Sequence, residues 1–93
     1  MIVGILTIEL ALFDAQSLKD KRRVIQSLKK RLHNRFNVSV AEVAYGNDAK
    51  RCRLGIATVS NETRNVHSLL DKVVELVRHN GGLSLIDYNR ELL

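Results

Sequence analysis

Cationic side chains are the most concentrated chemistry in this chain. Eight Lys and Arg lie between Lys19 and Arg35, against the single acid Asp20. That segment carries a net +7, while the rest of the chain, with seven bases and nine acids, carries −2. Cations repeated along one rigid scaffold displace the counterions condensed on a nucleic-acid backbone. The result is salt-sensitive affinity that reads little sequence. The other reading is a solvated face that keeps the protein soluble. Ion-paired ridges of that kind alternate in sign, and this one barely does. Lys19, Arg22, Arg23, Lys29, Lys30 and Arg31 are the candidates for phosphate contact, on RNA or on the ribosome. Lys50, Arg51 and Arg53 either extend the patch or flank a hairpin.

The remaining reactive residues assemble into nothing catalytic. His33, His67 and His79 are far apart and read as solvated surface residues. Cys52 is the only cysteine, so no intrachain disulfide and no Cys-rich zinc or iron–sulfur site can form. Its neighbours Arg51 and Arg53 could depress its pKa, but a small buried or edge residue is the simpler reading. Ser17, Ser60 and Asn61 read as helix caps. With no nucleophile and no acid–base pair, the expectation is a protein that is not an enzyme and uses no metal or cofactor.

The elements that carry these residues follow from period. Met1 to Phe13 is mostly apolar on both of its faces, as a central strand with one face in the core and the other partly covered should be. Ser17-Leu18-Lys19-Asp20 is a variant capping box. Leu18, Val24, Ile25, Leu28, Leu32 and Phe36 then form one helical stripe. Lys19, Arg23, Lys30 and His33 face away from it, on a ridge about 25 Å long at 1.5 Å per residue. Val38 to Tyr45 and Cys52 to Ser60 alternate as two strands of a hairpin around Gly46-Asn47-Asp48. A second helix starts near Ser60 to Glu62, buries Val66, Leu69, Leu70, Val73, Leu76 and Val77, and ends at Gly81-Gly82. Leu83 to Leu92 is a last strand, with Leu83 and Leu85 on one face and Ser84, Ile86 and Tyr88 on the other.

The order β-α-β-β-α-β has one economical solution. Right-handed crossovers place both helices on one face of a four-stranded antiparallel sheet, with the first and third strands central. The fold class is α+β, a ferredoxin-like two-layer sandwich, and residues 1–93 form a single domain. A chain of 93 residues has a small core, burying roughly 60–65% of its unfolded surface. The fold hosts unrelated functions, so function must come from a site.

Two features of the fold bear on function. Lys21 and Arg35 project near the centre of the apolar helical stripe, where a cation needs a partner. Glu9, Glu42 and Asp14 are candidates, and snorkelling past the helix ends is the favoured alternative. On the open sheet face, Val3, Ile5, Ala57, Val59 and Ile86 should leave an apolar patch, the mark of a homo-oligomeric interface or a small-ligand-sensing module. Glu9 and Arg53 would sit on that face and could pair.

Aromatics are few: Phe13, Phe36, Tyr45 and Tyr88. The third strand, Arg53-Leu54-Gly55-Ile56-Ala57-Thr58-Val59, supplies no ring, so base stacking in the manner of RNA-recognition domains is not expected. Nucleic-acid contact would be to backbone or shape. No GxxG loop of the KH type occurs. The loop Asp14-Ala15-Gln16-Ser17 lacks the arginine-bearing, glycine-rich cradle of acylphosphatases.

Three blocks are similar to a known set. They are Ser17-Leu18-Lys19-Asp20-Lys21-Arg22-Arg23-Val24, Phe36-Asn37-Val38-Ser39-Val40-Ala41-Glu42-Val43, and Leu54-Gly55-Ile56-Ala57-Thr58-Val59-Ser60. In this order they resemble the YlxP-like family of small bacterial proteins of unknown function. The resemblance implies the ferredoxin-like fold, a cytoplasmic bacterial protein, and genes neighbouring translation-initiation and ribosome-maturation factors. It supplies no catalytic residue. Relatives often carry an acidic residue followed by an aromatic or Gln in the hairpin loop, whereas here the loop is Asn47-Asp48-Ala49-Lys50-Arg51-Cys52. A single cysteine fits a reducing compartment. Glu9 and the absence of a basic n-region argue against a signal peptide, and no stretch approaches the length of a membrane helix.

Overall fold

The computed structural model describes all 93 residues. It contains β1 (Ile2–Ala11), α1 (Leu18–Arg35), β2 (Ser39–Ala44), β3 (Arg51–Ser60), α2 (Thr63–Arg78) and β4 (Ser84–Leu92). The strands form one antiparallel sheet in the order β2-β3-β1-β4, the ferredoxin-like βαββαβ arrangement with β1 and β3 central. No helix is long and apolar enough to cross a membrane.

The core lies between the sheet and the helices. Leu6, Ile8 and Leu10 of β1 and Cys52, Leu54 and Ile56 of β3 point inward. They meet Ile25, Leu28 and Leu32 of α1 and Val66, Leu70, Val73 and Val77 of α2. Gly4 is the closest approach in this packing. A Cβ there would lie 2.3 Å from Val66 Cγ1 and 3.3 Å from Leu70 Cδ1. Because interiors are close-packed, Gly4→Ala is expected to push α2 off the sheet and cost about 1–3 kcal/mol. Urea denaturation checks this; an unchanged midpoint would contradict it.

Local chemistry explains the helix starts. Ser17 Oγ accepts from the Asp20 amide at 3.1 Å, and Asp20 Oδ2 accepts from the Gln16 amide at 2.8 Å, one residue earlier than in the standard capping box. At α2 the N-cap is Glu62, which makes no side-chain cap bond. Ser60 Oγ instead accepts from the Glu62 amide at 3.2 Å and shapes the turn before the helix. At the other end the helix closes on His79, and the left-handed residue is Gly82 (φ +83°), beyond the cap.

One strand departs from simple alternation. β1 and β4 are in register from Gly4↔Leu92 to Glu9↔Asp87, then shift so that Leu10 pairs with Leu85. Ile86 is the extra residue of a bulge. A one-residue insertion reverses the faces that follow. Ile86 therefore stays on the open face, but Tyr88, paired with Ile8, falls on the helix side, opposite to strict alternation.

Candidate functional site

The structure presents three sites of possible chemistry. The first is the ridge on α1. Lys19, Arg22, Arg23, Lys30 and Arg31 are exposed and Lys29 is half-buried. The buried side of the helix is formed by Lys21, Ile25, Leu28 and Leu32. At about 100° per residue, Lys19, Arg23 and Lys30 line up along the crest opposite that stripe. Arg22 and Lys29 lie on one flank. Arg31 lies on the other and donates from Nη1 to Asn80 Oδ1 after α2. Only one cation of α1, Lys21, has a carboxylate partner. The other ion pairs are Arg51–Asp48, Arg53–Glu9, Arg78–Glu75, His79–Glu75 and Arg90–Asp71, all away from this helix. Arg35 is exposed and stands over the Phe36 ring, with its guanidinium carbon 5.9 Å from the centroid.

The second site is internal. Lys21 does not snorkel. It is 1% exposed, and its ammonium donates to the carbonyls of Tyr45 (2.7 Å), Asp48 (2.7 Å) and Arg51 (2.9 Å). Glu42 Oε2 lies 2.9 Å away as the counter-charge. An ammonium has three hydrogens, and the three carbonyls take them. Glu42 Oε2 therefore contributes charge without receiving a directed hydrogen, and it makes no conventional hydrogen bond. The snorkelling expectation fails because the first turn of α1 ends over the β2–β3 hairpin and not over water. Of the three candidate partners it is Glu42, inward-facing opposite Leu54, that the sheet register supplies.

Electrostatics around Lys21 are consistent with a closed structural site. Burial works against the Glu42 charge, but Lys21 and the Cys52 thiol beside it together outweigh burial and hold the carboxyl below its ordinary value. Burial, reinforced by the Glu42 carboxylate, pushes the Cys52 thiol up to about 12. Arg51 and Arg53 do not activate it, because they point to the opposite face. Cys52 is fully buried. Its reaction with an aromatic disulfide reagent at pH 7 is expected to wait for global unfolding. Stopped-flow mixing with folded protein checks this, and full modification within seconds would contradict it.

The third site is the open face at its hairpin end. Arg53 Nε donates to Glu9 Oε1 across the β1–β3 pair, and its Nη2 donates to the Tyr45 hydroxyl at 3.2 Å. Arg51 Nε donates to Asp48 Oδ2 at 2.9 Å. Both guanidiniums stack on the Tyr45 ring, at 4.2 Å for Arg51 and 5.1 Å for Arg53. Lys50 Nζ donates to the Phe13 carbonyl at 2.8 Å. Arg51 and Arg53 are neutralised by these acids, so they flank the hairpin and do not extend the α1 ridge. Tyr45 (φ 67°) joins this cluster because the chain turns left-handed after β2, a conformation its residue type did not announce.

The histidines are dispersed. His67 Nδ1 is 3.0 Å from Arg90 Nη1, which lies beside Asp71, and His79 Nδ1 is 2.9 Å from the Glu75 carbonyl. No three His, Cys, Asp or Glu side chains converge as a ligand set.

Comparison with known proteins agrees with the sequence blocks. A protein of Bacillus subtilis (strain 168), named uncharacterized protein YlxP, is 35% identical over 75 residues, spanning 81% of this chain and 82% of its own. A de novo designed protein with ferredoxin fold aligns over 99% of this chain and 85% of its own, at a TM-score of 0.45 and 13% identity. The model of a family described as protein of unknown function (DUF503) matches residues 3–90, and the chain belongs to that family.

Proposed function

We propose that this protein is a non-enzymatic accessory module that binds structured RNA through the backbone phosphates, using the crest and flanks of α1. The supporting observation is that Lys19, Arg22, Arg23, Lys29 and Lys30 have no carboxylate within ion-pair distance, while Arg51, Arg53, Arg78 and Arg90 elsewhere in the chain each have one. A row of unneutralised cations on a rigid helix leaves its counterions to be replaced by phosphates. Base stacking plays no part, because the rings are not on this surface. Tyr45 is occupied by two arginines, and Phe36 is partly buried against the core. Recognition is therefore of charge and shape, which suits a folded RNA such as that of the ribosome.

Fluorescence anisotropy of a labelled RNA hairpin tests the reading. Binding should be present at low salt, weaken steeply as salt rises, and fall when Arg23 and Lys30 are reversed to Glu. No binding at low salt would overturn it.

A further inference from the structure

A hollow of about 330 Å³ lies between the last residue of α1 and the outer side of α2. Its lining divides by chemistry. Phe36 and Leu69, both half-buried against the core, supply the apolar part. Arg35, Asn65, Ser68 and Lys72 supply the rest, and all four are exposed. Asn65, Ser68 and Lys72 follow at intervals of three and four along α2, so they share one side of that helix. Arg35 comes from α1 and rests its guanidinium over the Phe36 ring. None of the four polar side chains has a hydrogen-bond or ion-pair partner in the protein. No carboxylate lines the hollow. Asp71 and Glu75 line the adjoining one, and each is held by another cation, Asp71 by Arg90 at 2.6 Å and Glu75 by Arg78 at 3.5 Å.

We infer that this hollow binds a phosphate monoester. Groups that donate and lack partners converge there, and Arg35 and Lys72 among them carry full charges. A phosphate monoester is the complementary ligand, with a charge of about −1.5 to −2 at neutral pH and three strong acceptor oxygens. The Arg35 fork can take two of those oxygens, and the Lys72 ammonium can meet the third as a point charge. Asn65 and Ser68 add neutral donors. A carboxylate or a backbone phosphodiester carries a single charge and would leave one cation unmatched. Beside the donors, Phe36 and Leu69 offer an apolar wall to the organic part of the ester. The volume sits at the lower end of small-molecule sites, roughly 300–1,000 Å³. Two sources carry this group: a free phosphorylated metabolite, and the phosphorylated end of an RNA lying along α1. Only the second rests on the RNA reading above.

Amide NMR titration of the full chain with adenosine monophosphate, at constant ionic strength, is the test. Saturable shifts are expected at Arg35, Phe36, Asn65, Ser68, Leu69 and Lys72 and not along the α1 crest. Inorganic phosphate should compete. Cyclic adenosine monophosphate, the diester of the same nucleoside, should bind about tenfold more weakly, the size of one charge-assisted hydrogen bond. Arg35→Gln and Lys72→Gln change exposed positions that leave the core intact, and each should weaken binding about tenfold for the same reason. Reversing Arg23 and Lys30 to Glu, the change that tests RNA binding, should leave affinity for adenosine monophosphate unchanged, so the two proposals fail separately. An RNA hairpin with and without a terminal phosphate then identifies the source. A preference for the phosphorylated end that Lys72→Gln abolishes assigns the site to RNA termini, and equal affinity assigns it to the free metabolite. No saturation with adenosine monophosphate would overturn the inference. So would equal affinity for the cyclic diester, or affinity unchanged in both glutamine variants.

Discussion

Lys21→Met is expected to destabilise the fold by about 3–5 kcal/mol, a large fraction of the total for a domain of this size. Methionine matches the lysine stem in length and apolar character, so the change isolates the ammonium. Its loss leaves the carbonyls of Tyr45, Asp48 and Arg51 without the donor they share, and it leaves the Glu42 carboxylate in a half-buried position without its cation. Each buried group left unsatisfied carries its own desolvation cost. The hairpin should suffer first, because Lys21 ties both of its ends and its middle to the start of α1. Adding Glu42→Gln to Lys21→Met should recover part of the loss by removing the orphaned charge, whereas the single Glu42→Gln change should cost less than Lys21→Met. Urea denaturation of the four proteins measures the cycle. A loss below about 1 kcal/mol for Lys21→Met would mean that the cage contributes little.

The same pair sets a pH dependence. The folded Glu42 carboxyl is held below its ordinary value of 4.5, so the unfolded chain takes up its proton first on acidification. The stability Glu42 contributes is therefore present above that value and is lost as pH falls through the lower, folded one. Denaturation midpoints between pH 7 and pH 3 should show that loss in the wild-type protein and a smaller one in Glu42→Gln. Equal slopes would contradict the coupling.

The second large effect concerns RNA. Reversing Arg23 and Lys30 to Glu removes two of the three crest cations and adds two repulsive charges beside Lys19. Both residues are exposed and unpaired, so folding should be unaffected while affinity at low salt falls at least tenfold. Reversing Arg51 instead, which is already paired with Asp48 away from the ridge, should change affinity little. That contrast separates a directed surface from a response to net charge. Because two reversals change the net charge by four and one by two, a loss of log affinity from Arg51→Glu about half that of the double change would show that overall charge alone drives association.

The element order, the central strands and the ridge were all readable from period and charge, because amphipathic faces are local properties of sequence. The family was readable from three ordered blocks. The Lys21 cage was only half readable. A lysine at the centre of an apolar stripe signals a buried cation, and Glu42 was among its candidate partners. The three carbonyls, however, belong to a turn more than twenty residues away, and backbone oxygens leave no mark in sequence. Tyr88 was misplaced for a different reason. Strict alternation cannot anticipate the bulge at Ile86, and one inserted residue moves every later side chain to the other face. The stacking of Arg51 and Arg53 on Tyr45 depends on the left-handed backbone of Tyr45, which is rare outside glycine and asparagine.

The most direct test of phosphate contact by α1 is the salt dependence of RNA affinity. If the five unpaired cations Lys19, Arg22, Arg23, Lys29 and Lys30 each displace counterions, log affinity against log salt should fall with a slope of about −3.5 to −4.5. A rise from about 50 to about 200 mM salt should then cost on the order of 10²-fold in affinity. The Arg23→Glu, Lys30→Glu protein should show a slope shallower by about two. A wild-type slope near zero, or an unchanged slope in the reversed protein, would contradict the account.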